Sequence, residues 1–170
     1  MSRFLVLVSL IAGCDAGAKP PPPQPLAPVI REHVLLASIH RGACYGTCPI
    51  YTLAVYRDGT VEYEGTAYVK TKGKAAGTVT DDQLAALDKL FTDDHYLAYN
   101  SQYTSADVSD EASASTAYRP LGASETKTVD HYDGDTRAPA SLTKLEDRFD
   151  EIVQSQRWIG TSAELDKLSD

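Results

Sequence analysis

Positive charge is scarce in this sequence: 16 lysines and arginines stand against 24 aspartates and glutamates, which leaves the chain at −8. A surface of that sign repels phosphates, which argues against nucleic acid and anionic phosphate ligands, while cations, neutral partners and basic surfaces stay open. Long apolar runs are lacking as well. The N-terminal one, Phe4 to Ala12, falls short of the roughly 20 residues that cross a bilayer as a helix. The common catalytic signatures are absent: no G-x-S-x-G elbow, no Walker or dinucleotide glycine pattern, and no H-E-x-x-H zinc helix. His33, His40, His95 and His131 are scattered, and nothing in their spacing nominates a triad. The expectation leans away from an enzyme, and no cofactor is expected.

Cysteine is scarce too, with three in 170 residues, and their placement is informative. One early arginine (Arg3), a short apolar core and small residues before Cys14 have the pattern of a cleavable export segment. Ile11-Ala12-Gly13-Cys14 resembles the lipobox of bacterial lipoproteins. The resemblance implies that residues 1–13 are removed and that Cys14 is acylated. Two or more acyl chains, at about 0.8 kcal/mol per buried methylene, would then hold the protein on a membrane surface. The expected location is the bacterial cell envelope, facing the periplasm or the exterior. The expected partners are the membrane, through the lipid, and an unidentified protein or small molecule.

Behind Cys14, the stretch from Ala16 to Pro28 holds six of the nine prolines. It reads as an extended polyproline spacer that can reach roughly 40 Å at about 3.1 Å per residue. The expected division is a signal over 1–13, a lipidated cysteine and linker over 14–30, one domain over 31–160, and a polar tail over 161–170.

Within the domain, His33 to His40 reads as a buried strand, and Ile50 to Tyr56 and Thr60 to Val69 as two more around Arg57-Asp58-Gly59. A two-residue turn would set Val55 opposite Glu62 and Leu53 opposite Glu64. A three-residue turn with Gly59 left-handed pairs Val55 with Val61 and Leu53 with Tyr63, and is preferred because it keeps one face apolar. Lys70, Lys72 and Lys74 read as guards of an exposed strand end. Thr80-Asp81-Asp82-Gln83 is a capping box, and Leu84, Leu87, Leu90 and Phe91 follow at helical spacing. Thr92 to about Glu111 reads as a long loop. Ala112 to Arg119 and Glu125 to Tyr132 form a second hairpin, and Leu142, Leu145, Phe149, Ile152 and Val153 mark a last helix that begins near Pro139 and ends at Gly160. The expected fold is α+β: an antiparallel sheet of about five strands with two helices on one face, in the order βββαββα.

Among chemical candidates, Asp107, Asp110 and Glu111 offer oxygen ligands without the spacing of a calcium loop. Tyr45, Tyr51, Tyr96, Tyr99 and Tyr103 suit either a binding surface or ordinary packing. A hydrolase built on His131 and the acidic loop is a third possibility. Cys44 and Cys48, in CYGTCPIY, leave two readings open. If Cys14 takes lipid they remain as a pair, and Gly46 and Pro49 can shape a tight disulfide loop worth about 2 kcal/mol. Alternatively, His40, Cys44 and Cys48 offer one imidazole and two thiolates to copper or zinc, or a thiol-redox pair.

Cys44-Tyr45-Gly46-Thr47-Cys48-Pro49-Ile50-Tyr51, then Asp58-Gly59, Tyr63-Glu64-Gly65, Lys127-Thr128-Val129-Asp130-His131-Tyr132 and Trp158 together resemble a family of bacterial exported, often lipid-anchored domains of unknown function with the signature C-[FY]-G-x-C-P-x-Y. The chain departs from that pattern at Asp110-Glu111-Ala112-Ser113, where alanine replaces proline. The resemblance implies fold, export and the paired cysteines, and carries no reaction.

Overall fold

Strict alternation in Ile50–Tyr56 and Thr60–Ala67 puts Tyr51, Leu53, Val55, Val61 and Tyr63 on one side of a hairpin and Thr52, Glu62 and Glu64 on the other. In a computed structural model, which describes residues 32–105, 110–161 and Glu164, this hairpin is part of a seven-stranded sheet. Cys14, the export segment, the proline spacer, Asp107 and most of the tail lie outside the described residues.

The strands are β1 (Leu35–Arg41), β2 (Ile50–Tyr56), β3 (Thr60–Ala67), β4 (Gly73–Thr78), β5 (Gln102–Tyr103), β6 (Ser113–Tyr118) and β7 (Lys127–Tyr132). Their order across the sheet is β4-β3-β2-β1-β6-β7-β5. Helices α1 (Asp81–Asp93), α2 (Ala140–Val153) and the short α3 (Gln156–Ile159) bury their apolar residues with the inward residues of the strands in one core. The class is α+β, as expected.

Among the described residues the count of about five strands and two helices is corrected to seven strands and three α-helices, with one 3-10 turn over Tyr96–Ala98. The additional strand β4, GKAAGT, has no large apolar residue and is an edge strand, so its identity comes from pairing with β3 rather than from its own pattern. The additional β5 has two residues and pairs parallel with β7, so the sheet is not wholly antiparallel. The last helix also divides earlier than expected. Gln154 takes a left-handed conformation after Val153, α3 follows, and Gly160 caps α3 rather than α2.

Two local readings are met residue by residue. Thr80 and Gln83 form the reciprocal capping box of α1. At the hairpin, Val55 faces Val61 and Leu53 faces Tyr63, with Gly59 at φ +88°. Gly77 on β4 has a different role, since a Cβ there would fall 2.8 Å from the Trp158 ring. Trp158 stacks on Tyr63 and has the Arg157 guanidinium over its ring at 3.8 Å, and the carbonyls of Trp158 and Ile159 accept from the backbone N–H groups of Thr71 and Lys70, which ties α3 to the β3–β4 turn.

Gly59→Val places a β-branched residue at positive φ, 3.1 Å from the Val79 carbonyl oxygen. It is expected to lower stability by about 1 kcal/mol or more. A urea melt with an unchanged midpoint and slope would contradict this turn.

Candidate functional site

The paired positions of the sheet form one row that crosses it near the upper ends of β1 and β7. Tyr51 faces Arg41, Arg41 faces Ala114, and Ala114 faces His131. Three polar side chains thus share a row on the helix-covered face, with small Ala114 between the two cationic ones. Into that row α2 delivers Glu146, which is fully buried. Its Oε2 accepts from Arg41 Nη1 at 3.3 Å, and its Oε1 lies 2.9 Å from His131 Nδ1. One helical turn later Asp150 accepts from Arg41 Nη2 at 3.1 Å and from the Tyr51 hydroxyl at 2.6 Å. Asp147 takes a further bond from Arg41 at 3.1 Å at the surface. All of these residues are joined through a single guanidinium.

Electrostatics follow from that packing. Burial alone would lower the Arg41 pKa, but Asp150, Tyr51 and Glu146 outweigh it and hold the guanidinium charged. Burial raises the Tyr51 phenol, and the Asp150 carboxylate raises it further, so it is a donor and not a phenolate. The hydrogen bond that His131 donates to Glu146 raises its pKa above the ordinary value against the opposing effect of burial. Asp133, whose Oδ1 is 3.8 Å from His131 Nδ1, adds to the same effect. The ligand atoms of His131, Asp133 and Glu146 lie within 4.8 Å of one another and could hold a metal ion, although two of the three residues are buried and already bonded.

The segment between Arg41 and Tyr51 is the cysteine loop. Cys44 and Cys48 are joined in a disulfide with Cα atoms 5.8 Å apart. The loop is fastened to the rest of the chain by Gly42 N–H to Ser113 O and Tyr45 N–H to Asp110 O. A disulfide presents no thiolate, and His40 points to the opposite face of the sheet, where its Nδ1 meets Thr52 Oγ1 at 3.0 Å. The loop therefore closes the strand crossing that carries Arg41 into Tyr51, with about 2 kcal/mol from chain entropy.

The remaining candidates separate. Tyr51, Tyr96 and Tyr103 are core residues, Tyr99 is half-buried, and only Tyr45, at 86% exposure, stands in solvent. Tyr96 donates to the Thr116 carbonyl at 2.7 Å, which is a packing role. Lys74 lies on the edge strand β4, and Lys70 pairs with Glu164. His131 does enter a polar cluster, but its carboxylate partners are Glu146 of α2 and Asp133 just past β7, not the acidic loop that the sequence suggested.

Sequence reasoning missed Arg41, Glu146 and Asp150. One signal was available: Glu146 sits four residues after Leu142 and three before Phe149, a charge inside the apolar stripe of α2. A charge there needs a buried partner.

At the other end of the sheet lies an open cleft of about 850 Å³. Its walls are Val34 and Leu36 at the start of β1, Leu84 and Ala85 of α1, and the 119–124 turn. Arg57 and Arg119, each just past the end of a strand, bring two guanidiniums to it.

Residues 36–153 match the model of the DUF6438 family, a domain of unknown function, and the chain belongs to that family. No curated protein matches it.

Glu146→Ala removes the carboxylate that Arg41 and His131 share, leaves Arg41 on Asp150 and Asp147, and is expected to cost about 1–3 kcal/mol, read as a fall in the denaturation midpoint. A second measurement concerns pH. Because the folded-state pKa of His131 is raised, protonation favours the fold. That stabilisation is complete below about pH 6.5, the ordinary histidine value, and is lost as pH rises through the raised folded value. The midpoint is expected to decline across neutral pH in the native chain, and His131→Gln should remove that component.

Proposed function

We propose that this protein is a non-catalytic binding domain of the bacterial envelope, held at a membrane surface by lipid on Cys14 and reaching outward on its proline spacer. One observation carries the reading: the groups suited to acid–base chemistry and the surface suited to a ligand stand at opposite ends of the sheet. At the upper end, Glu146 and His131 are buried and spend their hydrogen bonds on each other and on Arg41. At the lower end, the cleft has the size of a small-molecule site, apolar walls and a few polar groups. The cysteine loop then serves as a staple that holds β1 and β2 in register over the buried cluster. No helix among the described residues is long and apolar enough to cross a membrane, so attachment in this reading rests on the lipid.

Two measurements test it. Acyl labelling should be present in the native chain and absent in Cys14→Ser; equal labelling of both removes the anchor from the proposal. In a fragment screen read by amide shifts, binders should perturb residues 84–88 and 119–124. Binders that instead perturb His131 and Glu146, with turnover of a fragment, would replace binding by catalysis.

A further inference from the structure

The ligand class follows from how charge is distributed in the lower cleft, granted the reading above that the cleft is the binding surface. Four charged residues line it: Glu32, Arg57, Asp88 and Arg119. Two of them are already committed to each other. Arg57 Nη2 donates to Asp88 Oδ1 at 3.2 Å and to the Arg119 carbonyl at 2.6 Å, while the same Asp88 oxygen accepts from the Tyr118 hydroxyl at 3.0 Å. Glu32 is exposed at the rim.

Arg119 differs. Its Nε donates to the Ala123 carbonyl at 2.8 Å, across the turn that Gly122 makes at φ +78°, and this bond orients the guanidinium. Among the described residues no carboxylate forms an ion pair with it. Arg119 is half-buried in a chain that carries eight more negative than positive charges. It stands beside an apolar wall that ends in Leu121, which is 78% exposed.

We propose that this cleft binds a small amphiphilic carboxylate, with the carboxylate on the Nη groups of Arg119 and the apolar body along Val34, Leu36, Leu84 and Ala85. Charge complementarity selects the head group, since a guanidinium fork matches a carboxylate in geometry and strength. The acidity of the chain does not oppose this. Net charge repels polyanions that spread over a wide surface, whereas a single carboxylate meets the local field within a Debye length of about 8 Å. The sheet argues against an extended peptide. β1 is interior, between β2 and β6, and the carbonyls of Val34 just before it and Leu36 within it accept from Arg57 N–H and Arg119 N–H, so the cleft has no open strand edge to extend.

The test is calorimetric titration of the full chain with decanoate, decan-1-ol and decylamine below their aggregation concentrations, with amide shifts to locate the site. Decanoate should bind saturably at residues 119–124, and decanol and decylamine more weakly. Arg119→Gln should weaken decanoate by about tenfold or more, the loss of a charge-assisted hydrogen bond. Ala85→Trp, at an exposed position of α1, should fill the cleft and abolish binding while α1 stays folded. Decanol binding as tightly as decanoate, or an Arg119→Gln variant with unchanged affinity, overturns the carboxylate assignment and leaves the cleft as the binding surface. Saturable binding of a hydrophobic peptide amide in place of decanoate overturns it in favour of a protein partner. Shifts confined to other surfaces would overturn both this assignment and the reading on which it rests.

Discussion

A carboxylate taken wholly out of water costs several kcal/mol unless cations and N–H donors surround it, and Glu146 is held in the core by Arg41 on one oxygen and His131 on the other. The constraint reaches well beyond those three residues. Arg41 must close β1 and His131 must lie near the end of β7, with a residue as small as Ala114 between them in the row. Helix α2 must then lie in the one rotation and translation that aims Glu146 at that gap. Apolar stripes tolerate small slides; a buried ion with two fixed partners does not. The cluster thereby gives a specific register to packing that Leu142, Leu145, Phe149 and Val153 drive without direction.

The disulfide loop belongs to the same device. Its two ends enter the row as Arg41 and Tyr51, and both side chains bond Asp150. Restricting the nine residues between them limits how far the two strand ends can separate when the core opens, so the staple and the ionic cluster reinforce one another. Successive rows below the cluster are mainly apolar, with Leu53, Ile39 and Val129 on either side of the buried Thr116, and then Val61, Val55 and Ala37 beside Tyr118. The sheet is polar at one end of its covered face and apolar toward the other, where the cleft opens between β1, α1 and the 119–124 turn. Rigidity and access are separated along the strands.

Legibility in the sequence followed the range of the interactions. The β2–β3 hairpin was readable to the residue because only one turn length keeps Leu53 and Val55 opposite apolar partners. The capping box of α1 was readable because its two bonds span three residues. β4 was not, since Gly73 to Thr78 has no pattern until β3 supplies one. The site was less legible than the fold. Arg41 and Glu146 are 105 residues apart in the chain, and nothing local to either names the other.

By itself the sequence determined the α+β class, the hairpin register and the main helices, because hydrophobic period, turn chemistry and capping act within a few residues. Only the tertiary structure decided which titratable groups meet. It set His40 and His131 on opposite faces of the sheet, joined His131 to Glu146, and placed Arg119 on a cleft where no carboxylate among the described residues pairs with it. The physical reason is that charge pairing depends on distance in space, and the sheet order β4-β3-β2-β1-β6-β7-β5 brings together strands that the chain keeps far apart.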